Sequence, residues 1–209
     1  MTNNSSQIDQ WRGDFGDSYT KRNHATQEAV EQRRLAFRQI FDHIEDGPVT
    51  SILEAGANIG INLRALREIT SAVLHAVEPN PTARNVLIED SVLLPDNIYD
   101  ADLSALPFDD NSIDLVFTSG VLIHVPEIAL EKGIKEIYRV SRRFILSLEY
   151  FSPIPVSIPY QDRDDLLFKR DFGGMWFDMY PDLKCVGNGF FWKRTTGLDD
   201  LNWWVFAKP

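Results

Sequence analysis

Two rhythms of apolar and polar residues run along the chain. From Thr26 to Ile44, Val30, Leu35, Phe37, Ile40, Phe41 and Ile44 fall mostly on one face at helical spacing. Thr26 suits an N-cap, Glu28 lies in the first turn, and Asp46-Gly47-Pro48 closes the segment. The next hundred or so residues alternate short apolar runs with helical stretches. The runs Val49–Leu53, Val73–Val77, Asn97–Asp100, Ser112–Thr118 and Arg143–Leu148 read as strands. Asn62–Thr70, Thr82–Glu89 and Pro126–Val140 read as the helices between them. Strands that are apolar almost throughout, alternating with helices, predict a parallel sheet covered on both faces. Beyond residue 150 the rhythm changes. Phe151–Tyr160 carries three prolines and reads as a connector, and Asp164–Phe172 as a short helix. Lys184–Phe191 and Trp203–Ala207 read as strands separated by too few residues for a crossover helix, so they predict an antiparallel hairpin. The expected fold is α/β and Rossmann-like: a doubly wound, seven-stranded, mostly parallel sheet ending in that hairpin. Residues 47–209 would form the ligand-binding body, and residues 1–46 an N-terminal segment and helix, in one globular unit.

The N-terminal segment is less regular. Residues 1–8 are polar and predict disorder. Trp11, Phe15, Tyr19, Arg22 and Asn23 follow, with Gly13 and Gly16 among them, and two glycines argue against one continuous helix. The segment is either a flap packed on the core or a lid over a ligand with Tyr19 and Arg22 facing inward.

Composition narrows the partners. The chain has 209 residues, 44% of them hydrophobic and 25% charged, which suits one sizeable core. Its net charge of −10 opposes binding to phosphate backbones or anionic membranes, so no nucleic-acid or membrane partner is expected and a small molecule is the default. A lone cysteine, Cys185, fits a reducing, cytoplasmic compartment. The first residues lack a signal-peptide layout, and no apolar run approaches the roughly 20 residues of a membrane span. The cysteine and the scattered histidines give no metal-ligand spacing. Oligomeric state is not legible.

In doubly wound sheets ligands bind at the carboxyl ends of the strands. Four loops meet there. The first holds Glu54, Gly56, Asn58 and Gly60, a strand-to-helix glycine turn. The second holds Glu78, Pro79 and Asn80; its carboxylate would accept both hydroxyls of a ribose. The third holds Asp102, placed for the exocyclic amine of an adenine, with Leu103 against the ring face. The fourth runs from Thr118 and Ser119 to His124. A phosphate would want a basic group nearby and this neighbourhood holds none, so the expected ligand is a nucleoside without a critical phosphate. Taken singly, Glu54 and Asp114 also read as strand-end carboxylates capping backbone N–H groups.

This set resembles the class I S-adenosylmethionine-dependent methyltransferases over roughly Ser51 to Glu149, with Glu54, Gly56, Gly60, Glu78, Asp102 and Asp114 in matching positions. Asn58 replaces the middle glycine of the family's turn, a tolerable departure because Asn accepts left-handed backbone readily. A narrower resemblance, carried by W-R-G-D-F-G-D-S-Y-T-K-R-N, G-V-L-I-H-V, F-K-R-D-F-G-G and G-F-F-W-K-R, is to the pseudaminic acid biosynthesis-associated methylases. It implies that Arg22 pairs with the methionyl carboxylate and that Tyr19 lies at the amine or sulfonium. Similar proteins, the azetidine-2-carboxylate synthases, use S-adenosylmethionine as sole substrate and release methylthioadenosine.

The resemblance leaves three readings: methyl transfer to a small molecule in a biosynthetic pathway, intramolecular ring closure, or binding of an adenosyl ligand without turnover. Methyl transfer needs alignment and, for some acceptors, a base. His124 is the histidine placed for that work; the alternative is that its ring hydrogen-bonds a loop carbonyl. Ring closure needs a water-free cavity with aromatic walls for the sulfonium. Phe151, Tyr160, Trp176 and Tyr180 lie where they could roof the site, and Tyr180 joins Tyr19 and His124 as a candidate catalytic side chain.

Overall fold

The computed structural model describes residues 4–45, 47–160 and 166–209, with side chains from residue 7 onward. Two short helices come first, α1 (Asn4–Arg12) and α2 (Asp14–Arg22), followed by α3 (Gln27–Phe41). The repeating part is β1 (Ser51–Ala55), α4 (Ile61–Arg67), β2 (Val73–Val77), α5 (Pro81–Glu89), β3 (Ile98–Tyr99), β4 (Ile113–Ser119), α6 (Glu127–Val140) and β5 (Ser141–Glu149). Then come β6 (Val156–Ser157), β7 (Phe168–Lys169), α7 (Phe172–Met179), β8 (Lys184–Phe191), α8 (Lys193–Thr196) and β9 (Leu201–Ala207).

Seven strands form one sheet in the order β3-β2-β1-β4-β5-β9-β8. β1 to β5 run parallel, and β9 pairs antiparallel with both β5 and β8. The predicted architecture, C-terminal hairpin included, is the one observed. Adjacent residues along each strand feed opposite faces. Ile52 and Leu115 pack with Phe37, Ile40, Leu63 and Leu66 under α3 and α4. Leu53 and Val116 pack with Leu130, Ile134, Ile137 and Trp176 under α6 and α7. Strand order reverses between β1 and β4, so the loops after β1, β2 and β4 open into a shared crevice.

Two local expectations need correction, and a third, that the aromatic segment is not one continuous helix, holds at one of its two glycines. Residues 4–8 belong to α1 rather than to a disordered tail; residues 1–3 lie outside the described set. The aromatic segment is helical on both sides of Gly13. The break falls at Gly13, while Gly16 sits inside α2, where a Cβ would lie 1.8 Å from the Trp11 carbonyl oxygen and 2.7 Å from Asn80 Nδ2. A residue poor for helix was thus kept for close approach. The helix expected at Asp164–Phe172 is not there: Phe168–Lys169 is a strand paired with β6, and α7 begins at Phe172, N-capped by Asp171 Oδ1 accepting from Gly174 N at 2.7 Å. Residues 161–165 lie outside the described set.

Asp114 takes the capping role. At the start of β4, 1% exposed, it accepts from Thr50 N (2.8 Å), from Thr50 Oγ1 (2.7 Å) and from Arg142. Burial pushes its pKa up, but these three donors outweigh burial and hold it at about 2. Among the described residues no helix is long and apolar enough to cross a membrane. Asp114→Ala leaves the Thr50 N–H and Arg142 without their anion. We expect roughly 2–4 kcal/mol lost in urea unfolding at neutral pH, with ligand affinity within threefold.

Candidate functional site

The loops at the carboxyl ends of β1, β2 and β4, the loop after β3, and the helices α1 to α3 line a partly open cavity of about 400 Å³. Gly56 sits at φ 88, where a Cβ would meet Val121 Cγ2 at 2.6 Å, so the turn and the loop after β4 touch across the cavity floor. Asn58 adopts φ 46, as its place in the glycine turn requires. Gly60, at φ 73, opens α4 and does not line the cavity.

Glu78 closes the turn from the next strand. Its Oε2 accepts from Asn58 N (2.7 Å) and its Oε1 from Asn80 N (2.8 Å). Each oxygen keeps a further acceptor position, which is what a vicinal diol needs. Burial raises the pKa of Glu78, against hydrogen bonds from Asn80 and Asn58 and the attraction of Arg84 and Arg12. These arginines amend the expectation that no basic group stands nearby. Neither lines the cavity; Arg84 donates to the Glu78 and Pro79 carbonyls, and both reach Asp100.

The cavity is lined by Tyr19, Glu54, Gly56, Asn58, Glu78, Pro79, Asp102, Leu103, Ser119 and His124, ten of the residues singled out from sequence. Asp102 uses Oδ1 to accept from Ser104 N at 2.7 Å. Two others are elsewhere. Arg22 is exposed, its guanidinium 5.6 Å from the Tyr19 ring centre, and it does not line the cavity. Tyr180 stacks on Tyr138 at 3.6 Å between ring centres, packed against α6 rather than over the loops. Trp176 is fully buried, its Nε1 donating to Ser147 Oγ. Neither Tyr180 nor Trp176 roofs the site.

The cation that does line the cavity is Arg33, in the middle of α3. Burial lowers its pKa, and the negative charges of Glu54 and Asp199 act against that. The state of Glu54, itself a candidate from the sequence, is the other unforeseen feature. Its Oε1 accepts from Asn62 Nδ2 at 2.6 Å, but its buried Oε2 has no partner. Burial pushes Glu54 up to about 8 despite Asn62 and Arg33. An arginine beside a carboxyl group with an unused oxygen complements an α-amino acid, whose ammonium would favour the ionised form of Glu54.

His124 is buried in the turn Leu122–His124 after β4. Its Nδ1 lies 2.6 Å from the Leu166 carbonyl. A carbonyl only accepts, so in the neutral ring Nδ1 carries the proton and Nε2 the lone pair. Burial lowers its pKa, partly offset by that hydrogen bond, so the neutral form prevails at pH 7. The ring is tied to a loop carbonyl, as one sequence alternative has it, and that bond leaves Nε2 with its lone pair. Around it stand Trp11 (5.0 Å between centres), Tyr160 (5.8 Å) and Tyr19 (6.3 Å). Burial raises the pKa of Tyr19, so its hydroxyl is neutral.

The helices α1 and α2 are fastened to the loops they cover. Gln7 Nε2 donates to the His124 carbonyl (2.6 Å) and Thr20 Oγ1 to Asn58 Oδ1 (3.3 Å). Asn80 Nδ2 donates to the Trp11 carbonyl and to Asp17 Oδ1, which also accepts from Thr82. Among the described residues no group of three or more His, Cys, Asp or Glu side chains could hold a metal ion.

Residues 53–143 match the family model described as a methyltransferase domain. No curated protein matches the sequence significantly. Several solved structures share the fold. The 1,6-didemethyltoxoflavin-N1-methyltransferase of Burkholderia thailandensis, crystallised with 1,6-didemethyltoxoflavin and S-adenosylhomocysteine, is 17% identical with a TM-score of 0.75, over 100% of this chain and 91% of that one. An S-adenosylmethionine-dependent methyltransferase of Leishmania major is 16% identical with a TM-score of 0.70, over 97% and 82%. Magnesium protoporphyrin IX methyltransferase of Synechocystis PCC 6803, with bound S-adenosylmethionine, is 13% identical with a TM-score of 0.67, over 100% and 98%. At such identities the likeness is one of fold, and the fold is that of the class I S-adenosylmethionine-dependent methyltransferases.

An acid raised to about 8 keeps its proton in the folded chain where the unfolded chain, at 4.5, has released it. Glu54 thus lowers the stability of the ligand-free protein progressively as pH rises through that window. Glu54→Gln has no proton to lose. Its melting temperature should match the wild type at pH 5 and exceed it at pH 9; equal melting temperatures at both pH values would place the Glu54 carboxylate in water.

Proposed function

We propose that the methyltransferase domain at residues 53–143 makes this chain an S-adenosylmethionine-dependent enzyme that transfers a methyl group to a small-molecule acceptor in a biosynthetic pathway. The observation that carries the reading is the content of one cavity: Glu78 for a ribose diol, and Arg33 with the unpartnered oxygen of Glu54 for an α-amino acid. Adenosine joined to a methionyl group presents both. Asp102 and Leu103 would take the adenine, Pro79 and Asn58 the ribose edge, and Gly56 and Ser119 the chain towards sulfur. The sulfonium then falls among Trp11, Tyr19 and His124. Aromatic faces favour a cation over water by about 0.5–2 kcal/mol each.

The protein's part in methyl transfer is alignment and proton removal. The donor methyl is already activated, and displacement needs the acceptor in line with the methyl–sulfur bond. His124 Nε2 would take the acceptor's proton, while its Nδ1–H stays on Leu166. Tyr19, neutral, would act as a hydrogen bond donor or a wall.

One observation favours a second reaction. The helices α1 and α2 cover the cavity, whose about 400 Å³ lies near the low end of the roughly 300–1,000 Å³ of single-ligand sites. Without room for an acceptor, the α-amine attacks Cγ, the Cγ–sulfur bond breaks, and methylthioadenosine leaves with the electron pair. The ring nitrogen gives up a proton to base. The product is azetidine-2-carboxylate.

Incubation with S-adenosylmethionine decides between the two. S-adenosylhomocysteine formed only when an amine, hydroxyl or thiol acceptor is added supports methyl transfer. Methylthioadenosine and a four-membered amino acid formed without acceptor transfer the reading to ring closure. In calorimetry, Arg33→Met should weaken S-adenosylmethionine binding about 10- to 100-fold, the loss of one charged hydrogen-bonded pair. Arg22→Ala should stay within threefold; the reverse order would restore Arg22 to the carboxylate.

A further inference from the structure

Glu149 ends β5, is fully buried, and does not line the cavity. Its carboxylate faces three successive backbone N–H groups: Oε1 accepts from Val121 (3.3 Å) and Leu122 (3.1 Å), and Oε2 from Ile123 (3.3 Å). These amides open the short turn in which His124 N donates to the Val121 carbonyl at 2.9 Å. A one-turn helix leaves its first N–H groups without internal partners, and here the two oxygens of one carboxyl group satisfy all three. The adjoining backbone is anchored too, with Gly120 N donating to the Leu148 carbonyl at 2.8 Å.

We infer that Glu149 is the positioning residue for His124: by holding the amides of residues 121–123 it fixes both the tautomer of the ring and the carbonyl that Gln7 grips. The chain of contacts is short. The carboxylate sets the turn, the turn sets the His124 backbone, and the ring meets Leu166 only from that backbone position. Burial raises the pKa of Glu149 to about 7 against the hydrogen bonds from Leu122, Thr118, Val121 and Ile123; once ionised, both its oxygens accept and neither donates. Glutamine would turn an N–H₂ towards one of the same amides. Aspartate keeps the charge but withdraws it by one methylene.

The inference rests on the catalytic reading of His124 for its kinetic consequence, and on geometry alone for its spectroscopic one. The test uses the full-length protein as E149Q and E149D. Imidazole ¹⁵N shifts should report His124 as Nδ1–H in the wild type and as a mixture with Nε2–H in E149Q, with E149D in between. For E149Q, kcat should fall about a hundredfold, the cost of a displacement near 1 Å, with affinity for S-adenosylmethionine within threefold. Folded variants with the wild-type tautomer and kcat would overturn the assignment. So would failure of both variants to fold, which would make Glu149 a determinant of the fold instead. If the wild type turns over no S-adenosylmethionine, the catalytic reading falls, and the tautomer still decides the role of Glu149.

Discussion

A carboxylate withdrawn from water at the end of a strand must be solvated by something, and here the backbone does most of that work. Glu78 and Glu149 end at backbone amides, Asn58 and Asn80 for the first and three consecutive residues for the second. The shape of the loops follows from this. The glycine turn bends back far enough to offer its Asn58 amide to Glu78, and the turn after β4 presents its open end to Glu149. Glu54 differs, since a side-chain amide satisfies one oxygen and nothing satisfies the other. Two of these carboxyl groups are therefore held on both oxygens and the third on one, close enough to feel the charge of Arg33, the one arginine lining the cavity among the described residues.

Much of this was legible. Strands buried on both faces announce themselves as apolar runs, and Glu54, Gly56, Asn58 and Glu78 sit at fixed distances from the ends of such runs. The hairpin was legible from the shortness of its connection. Asn58 could be foreseen at positive φ because a turn of that length leaves few other conformations.

What was missed has a common cause. Arg33 lies in a polar-looking run, but it shares a helical face with Val30, Phe37 and Ile40 at spacings of three, four and seven residues. An arginine inside an apolar stripe is the signal that could have found it. Arg22 was assigned to the carboxylate through the family resemblance, yet α2 leaves it exposed and outside the cavity lining. Tyr180 and Trp176 were assigned to loops over the site because α7 was placed some eight residues too early; aromatic residues on a helix behind β5 pack against the sheet instead. Tertiary partners, such as Leu166 for His124, lie 42 residues away and leave no trace in local pattern.

Asn80 joins three parts of the molecule. Its Oδ1 accepts from Ala83 N and caps α5, its N–H holds Glu78, and its Nδ2 holds the Trp11 carbonyl and Asp17. One residue, through its side chain and its backbone N–H, thus binds the cover, the floor and a helix end. An occupant that leaves past the cover must first break these bonds, so detachment of α1 and α2 would set a ceiling on the turnover rate. A change in that segment far from any reacting atom would act as a clock, altering how often the cavity empties rather than what happens inside it.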